Sequence, residues 1–293
     1  MATKNVSVDF YRMDSEEFNY LKVFSDKLEI SRDILMQKNR ENIKLFDFFV
    51  RFYELTFENN YWIGHIEKVK TEEYAVVGSL DGRRDTYATQ VDEGPVSDST
   101  FLFWPDRRII ALYRSREGLS HRAFEAFLSR YTGLAISLSV ILSEDKALRL
   151  SKMRLVKQLE YKIAKPTNME FAKSKNTGFF QEAEIIRQLQ SDSMDIIIAS
   201  GRGKKLDKTE VIKKAESLAS YKDEGVEKVK IKGREFDGGP IDTVDLIQDR
   251  MIYVEKLTIP KDKKITPIMM MDVLRKAFDK KKSEIVRMYL DER

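Results

Sequence analysis

The stretch of this chain whose residue types and spacing best combine into a chemistry is Ser200-Gly201-Arg202-Gly203-Lys204-Lys205. It sits between an apolar run, Asp195 to Ala199, and a helical pattern that starts near Lys208. Glycines let backbone N–H groups approach an anion, a helix N-terminus adds partial positive charge, and Arg202, Lys204 and Lys205 supply ionic contacts, so the expected ligand is a phosphate. The spacing of a Walker loop is missing, which favours nucleic-acid phosphate over a nucleotide. Asp207 as helix N-cap and Glu210 in the first turn draw on the same dipole, and a strand-to-helix turn needs glycine for geometry alone. Lys208, Lys213 and Lys214 continue the positive run, while Arg154 and Lys157 lie in the densest basic segment, Lys146 to Lys175, with nine basic against two acidic residues. Smaller clusters at Arg107-Arg108, Lys261 to Lys264 and Lys280 to Lys282 each read as a solvated face unless they share a surface. No zinc finger or ribonucleoprotein sequence accompanies them, so any binding should be weakly sequence-selective.

Catalytic signatures are missing from the sequence. There is no G-x-S-x-G elbow, no H-E-x-x-H and no kinase set, and the two histidines, His65 and His121, stand 56 residues apart with no cysteine to support them. The expectation is therefore no catalytic residue, no metal and no cofactor, with His65 in a strand and His121 at a helix start. Two other readings stay open. One is a metal-dependent nuclease or nucleotide hydrolase built on Asp195, Asp207 and Glu210 around a divalent ion; the pairs Glu72-Glu73 and Asp223-Glu224 read more simply as loop charges. The other is a protein-interaction module that assembles through a long aromatic helix near residue 50 or a Met-rich terminal helix.

Composition bounds these choices. The chain has 293 residues, 42% of them apolar, enough for a sizeable core in one large or two ordinary domains. Zero cysteines exclude disulfides and thiolate chemistry. The first residues carry no apolar signal region, and the longest apolar runs, such as Leu134 to Leu142, fall short of a bilayer span, so a cytoplasmic location is expected. Up to Glu144 there are 19 basic and 23 acidic side chains, and from Asp145 onward 33 and 25, so the halves carry net −4 and +8. Such an asymmetry points to a polyanionic partner for the second half.

The elements that must position these residues follow from periodicity. A strand is expected at Val6 to Tyr11, then a helix capped near Asp14 and Ser15 with Phe18, Leu21 and Phe24 on one face. From Glu41 to Asn59 the spacing of Ile43, Phe46, Phe49, Val50, Tyr53 and Phe57 predicts an amphipathic helix. Strand-like runs at Tyr61 to Lys68, Tyr74 to Val77, Thr86 to Val91, Phe101 to Trp104 and Ile109 to Tyr113, with a hairpin signal at Asp81-Gly82, read as an antiparallel meander. Ser120 caps a helix that Gly133 breaks, and Ile136 to Leu142 returns as a strand. A domain boundary is placed near residue 150, giving an α+β domain over 1–150 and a basic α/β domain over 151–293. In the second, strand Leu159 to Ile163 has one wet face and Pro166 to Gly178 is a loop. Then come a helix at Glu182 to Leu189, a buried strand at Asp195 to Ala199, a helix at Lys208 to Ser220 and a strand at Val226 to Ile231. Their alternation suggests parallel pairing. Strand Ile252 to Ile259 precedes a long helix with Thr266 as N-cap and Pro267 in its first turn.

With these pieces in place, the chain resembles the RexA phage-exclusion proteins of lambda-type phages. The resemblance is carried by Asn60-Tyr61-Trp62 to Lys68, by FLFWPDRRIIALYRSREGLSHRAFEAFL from Phe101 to Leu128, by SMDIIIASGRGKKLDKTEVIKKAESLA, and by the order of elements after it. Order matches better than identity, and the expected N-terminal aromatic helix departs most, which leaves dimer geometry open. The resemblance implies a two-domain, homodimeric DNA-binding protein of phage exclusion or abortive infection, without enzymatic activity of its own and with a separate membrane-protein partner. It also implies that Arg202, Lys204, Lys205, Lys208, Lys213 and Lys214 face DNA.

Overall fold

A computed structural model describes residues 2–71, 76–78, 84–86, 93–115, 117–164, 178–223, 225–259 and 264–289. The turn signal Asp81-Gly82, the acids Glu72, Glu73 and Glu224, the runs Tyr74 to Val77 and Thr86 to Val91 apart from Val76, Val77 and Thr86, the segment 166–177, and the cations Lys165, Lys173, Lys175, Lys261 and Lys263 lie outside the described residues. The fold is α+β. Its strands are β1 (Ala2–Ser15), β2 (Ile43–Leu45), β3 (Phe48–Glu58), β4 (Tyr61–Val69), β5 (Val76–Gly78), β6 (Arg84–Thr86), β7 (Val96–Trp104), β8 (Ile109–Tyr113), β9 (Ile136–Val140), β10 (Leu155–Ala164), β11 (Ser193–Ala199), β12 (Val226–Arg234), β13 (Asp242–Asp245) and β14 (Ile252–Ile259). The helices are α1 (Tyr20–Met36), α2 (His121–Thr132), α3 (Glu144–Lys152), α4 (Gly178–Gln188), α5 (Lys208–Ala219) and α6 (Pro267–Met288).

Two compact units divide the chain: Met1–Ser137 with Tyr253–Arg293, and Leu138–Ile252. The division expected once, near residue 150, thus falls twice, because the last strand and helix return to the first sheet. The long terminal helix belongs to the first unit, not to the second domain as expected.

In the first unit the sheet runs β14-β1-β8-β7-β4-β3-β2, with β9 beside β1 off that path. Strand β8 is buried along its whole length and β4 nearly so, because helices cover both faces. On one side, Phe24 of α1 lies 4.8 Å from Phe103, and Phe124 and Phe127 of α2 lie 5.4 and 5.2 Å from Phe101 and Phe52. On the other, Phe278 of α6 stands edge-on to Tyr61 and Trp104, each at 5.1 Å. Helix α2 starts at Ser120, whose side chain accepts from Ala123 N, and ends at Gly133 in the left-handed region, φ 77°. The long helix α6 is capped by Thr266 with Pro267 in its first turn.

Two sequence expectations fail in this unit. Strand β1 continues to Ser15 and α1 begins only at Tyr20 after Asn19, leaving Phe18 fully exposed in the turn. The stretch expected as one helix from Glu41 to Asn59 is the hairpin β2–β3, closed by a turn with Phe46 at φ 49°. Phe48, Val50 and Phe52 face the core with strand period, and an irregularity between Phe52 and Glu54 then advances the phase so that Leu55 turns inward. Of the residues expected on the helical stripe only Val50 is buried, while Phe46, Tyr53 and Phe57 are exposed.

The second unit carries a sheet in the order β11-β10-β12-β13, and its pairings among the described residues are all antiparallel, which corrects the expected parallel pairing. One face holds the core, where Leu159, Tyr161, Ile163, Val229 and Ile231 meet Ile186 of α4 and Val211, Ala215 and Leu218 of α5. The opposite face is charged. Strand β11, expected as buried, is an edge strand with Ile197 61% and Ile198 43% exposed. An apolar run alone does not tell a central strand from an edge. The chain segments that lead into and out of this unit run side by side: Met251 N donates to Ile141 O at 2.6 Å, Ser143 N to Asp249 O at 2.9 Å, and Leu142 bridges Arg250.

Candidate nucleic-acid interface

The loop after β11 is built by continued attachment to β10. Ser200 N donates to Lys157 O at 2.9 Å, and Leu206 N donates to Val156 O at 2.9 Å, so residues 201–205 bulge out between two fixed points. Lys204 N closes a turn on Gly201 O at 3.0 Å, and Gly203 takes φ 75°, a conformation costly for other residues. Leu206 packs on the core, and Asp207 accepts from Glu210 N at 3.0 Å to start α5. The consequence is that Arg202, Lys204 and Lys205 are exposed on a braced loop.

Other cations arrive at the same end of the sheet. The Lys157 ammonium donates to Lys204 O, and the Lys208 ammonium donates to Ser151 O at 2.8 Å, tying the first turn of α5 to the last turn of α3. Desolvation there lowers the Lys208 pKa from its ordinary value. Arg154 is exposed at the start of β10 and its N–H donates to Arg234 O at 3.0 Å. Arg154, Lys157, Arg202, Lys204, Lys205 and Lys208 are thus brought together. Lys213 is exposed farther along α5, and Lys214 is drawn to Glu182 at 3.6 Å and lies over the Tyr161 ring. Lys152, from the same basic segment as Arg154 and Lys157, and Arg234, which no local signal marks, join the group.

Pairing separates this end from the rest of the unit. On the open sheet face Lys162 pairs with Glu227 at 2.8 Å, Lys228 with Glu160 at 2.8 Å and Asp195 at 3.0 Å, and Lys232 with Glu160 at 2.7 Å. Among the described residues, Lys152, Arg154, Lys157, Arg202, Lys204, Lys205, Lys208 and Arg234 form no ion pair. The acids nearest in sequence are Asp207 and Glu210, in the cap and first turn of α5, and the exposed Glu235 and Asp237 that follow Arg234. Counted by folded unit, residues 138–252 hold 22 basic and 19 acidic side chains and the remainder 30 and 29. The asymmetry of the sequence halves is therefore not one between units, because the lysine-rich terminal helix belongs to the first. What distinguishes the second unit is where its unpaired charge lies.

The acids of the hydrolase reading do not converge. Asp195 pairs with Lys228 and sits opposite Lys162, four residues before the end of β11, whereas Asp207 and Glu210 lie past the loop at its other end. Four strand residues span about 13 Å. His121 is buried and stacks on Tyr11 with ring centroids 4.2 Å apart. His65 is different: its Nε2 lies 2.7 Å from Asp98 Oδ1, and ligand atoms of His65, Glu67 and Asp98 all fall within 4.8 Å of one another. Glu67, two residues on, shares a strand face with His65 and was legible; Asp98 comes from β7.

The fold and this site define an α+β protein of two units, one of which gathers unpaired cations at a sheet end. The chain belongs to a family described as a family of unknown function (DUF6731), whose profile matches residues 1–286. No curated protein matches it. No helix among the described residues is long and apolar enough to cross a membrane.

Proposed function

We propose that the chain is a DNA-binding protein that contacts backbone phosphates through the second unit, without enzymatic activity and with weak sequence selectivity. The observation that carries this reading is the set of cations without acidic partners at the end of the sheet, centred on Arg202, Lys204 and Lys205. An ammonium already paired with a carboxylate gains little by moving to a phosphate, whereas an unpaired one releases a condensed counterion when it meets DNA. The N-terminus of α5 begins beside the loop but its dipole is already engaged by Asp207 and Glu210, so the side-chain cations carry the contact. No helix or ribbon with base-reading signatures accompanies these groups, so phosphate contact dominates.

The resemblance to RexA proteins supplies the biological frame: phage exclusion or anti-phage defence, a cytoplasmic homodimer, and a separate membrane-protein partner. Self-association has support of its own in β11, which among the described residues is an edge strand that leaves Ile197 and Ile198 exposed and one row of backbone groups open to pairing.

A gel-shift titration with duplex and single-stranded DNA at two salt concentrations tests the reading. Retardation at low salt should weaken steeply at the higher concentration. The double variant Lys204→Ala, Lys205→Ala should lower the log–log salt slope by about 2, one for each phosphate no longer neutralised. Failure of micromolar protein to shift either DNA at low salt ends the proposal, as does an unchanged slope.

A further inference from the structure

The first unit holds a second cluster, separate from the cations assigned to DNA. We infer that His65, Glu67, Asp98 and Thr100 form a binding site for one divalent first-row transition ion, with zinc as the reference ion. The four residues lie on one face of two neighbouring antiparallel strands. In the β4–β7 ladder Glu67 stands directly opposite Asp98, and His65 directly opposite Thr100. Side chains so paired have Cβ atoms about 5 Å apart.

Three features point to a cation. Two carboxylates are set face to face across a strand pair, an arrangement that repels unless positive charge enters it. Arg51, on the next strand, neutralises Glu67 at 2.7 Å, while Asp98 is met by His65 Nε2, also at 2.7 Å, so the cation would join an imidazole already turned toward a carboxylate. His65 and Glu67 are 4% and 8% exposed, while Asp98 is about one-third exposed at the rim, so the cluster is largely removed from water but open on one side. The third feature is Thr100. It is fully buried, and its hydroxyl has no hydrogen-bond partner among the described residues, although it stands beside the imidazole. A buried hydroxyl without a partner is costly, and a bound ion or its water would satisfy it.

The donor set selects the ion. Imidazole with two carboxylates suits zinc and its neighbours, whereas magnesium and calcium favour oxygen-only shells. Tetrahedral ligand atoms about 2.1 Å from one ion stand about 3.4 Å apart, so a pair at the 4.8 Å limit closes by about 1.4 Å and His65 Nε2 and Asp98 Oδ1, now 2.7 Å apart, open by about 0.7 Å, both within the reach of side-chain rotation. The ring of His65 is held by Tyr53, with centroids 5.0 Å apart.

The test uses the full chain stripped with a chelator, then titrated calorimetrically with zinc, manganese or magnesium chloride. One equivalent of zinc should bind, with magnesium far weaker. Asp98→Asn, at the half-open position, should weaken zinc at least tenfold while its circular dichroism stays that of the natural chain, and His65→Asn should abolish it. Thr100→Val gives an opposite-sign readout: the ion-free protein should melt higher because an unpartnered hydroxyl is gone, yet bind zinc less tightly. Absence of zinc binding, or unchanged zinc affinity in Asp98→Asn or Thr100→Val, overturns the site. None of these outcomes bears on DNA binding, so the two proposals fail separately.

Discussion

Lysines with the same formal charge do different work in the second unit according to what stands within 3 Å of them. Lys228 and Lys232 both reach Glu160, and their hydrogen bonds hold that carboxyl down at about 2. An unfolded glutamate titrates near about 4.3, so the folded state binds the proton less readily. The stability this contributes is complete above that value and is lost as the pH falls through about 2. Glu160→Gln should therefore flatten the acid-side decline of melting temperature between those limits and leave the neutral-to-alkaline profile in shape, as thermal unfolding at a series of pH values would show. The Arg202 to Lys205 run was legible because its residues are contiguous. The cancellation of Lys214 by Glu182 and of Lys228 by Glu160 was not, because those acids lie 32 and 68 residues away and only tertiary pairing brings them close. For the same reason Asp98 could not be assigned to His65 beforehand, whereas Glu67 could.

At the scale of elements, local signals held where they were strong: the Ser120 and Thr266 caps, the Gly133 stop and the alternation of Leu159, Tyr161 and Ile163. They misled where an irregularity altered the period, as at Tyr53, or where an apolar run lay on an edge, as in β11. The cap of α5 offers a prediction with two readouts. Asp207→Ala removes the acceptor for Glu210 N and should cost about 1 kcal/mol in chemical denaturation. It also deletes an acid next to the unpaired cations, so DNA affinity should rise modestly. In a hydrolase that used Asp207 to hold an ion, the same variant would lose turnover, and a cleavage assay beside the gel shift separates these outcomes.

For the whole molecule, the boundary was illegible because a linear reading assigns the last residues to whatever precedes them. The apolar side chains of α6, among them Met271, Leu274, Ala277 and Phe278, are instead buried in the first unit. The second unit owns a separate core, from Leu142 to Ile247. Residues 138–252 produced alone should therefore unfold cooperatively and keep the salt-dependent DNA binding of the full chain; a chain that is molten by circular dichroism would refute the independence of that core. The side-by-side pairing at Ile141 with Met251 and Ser143 with Asp249 carries one more consequence. Neighbouring strands are about 5 Å apart, so the stem of this insertion is no wider than an ordinary hairpin. A short glycine-containing splice could replace everything beyond the stem, and unrelated modules could be exchanged at that junction by recombination while the host sheet keeps its connectivity.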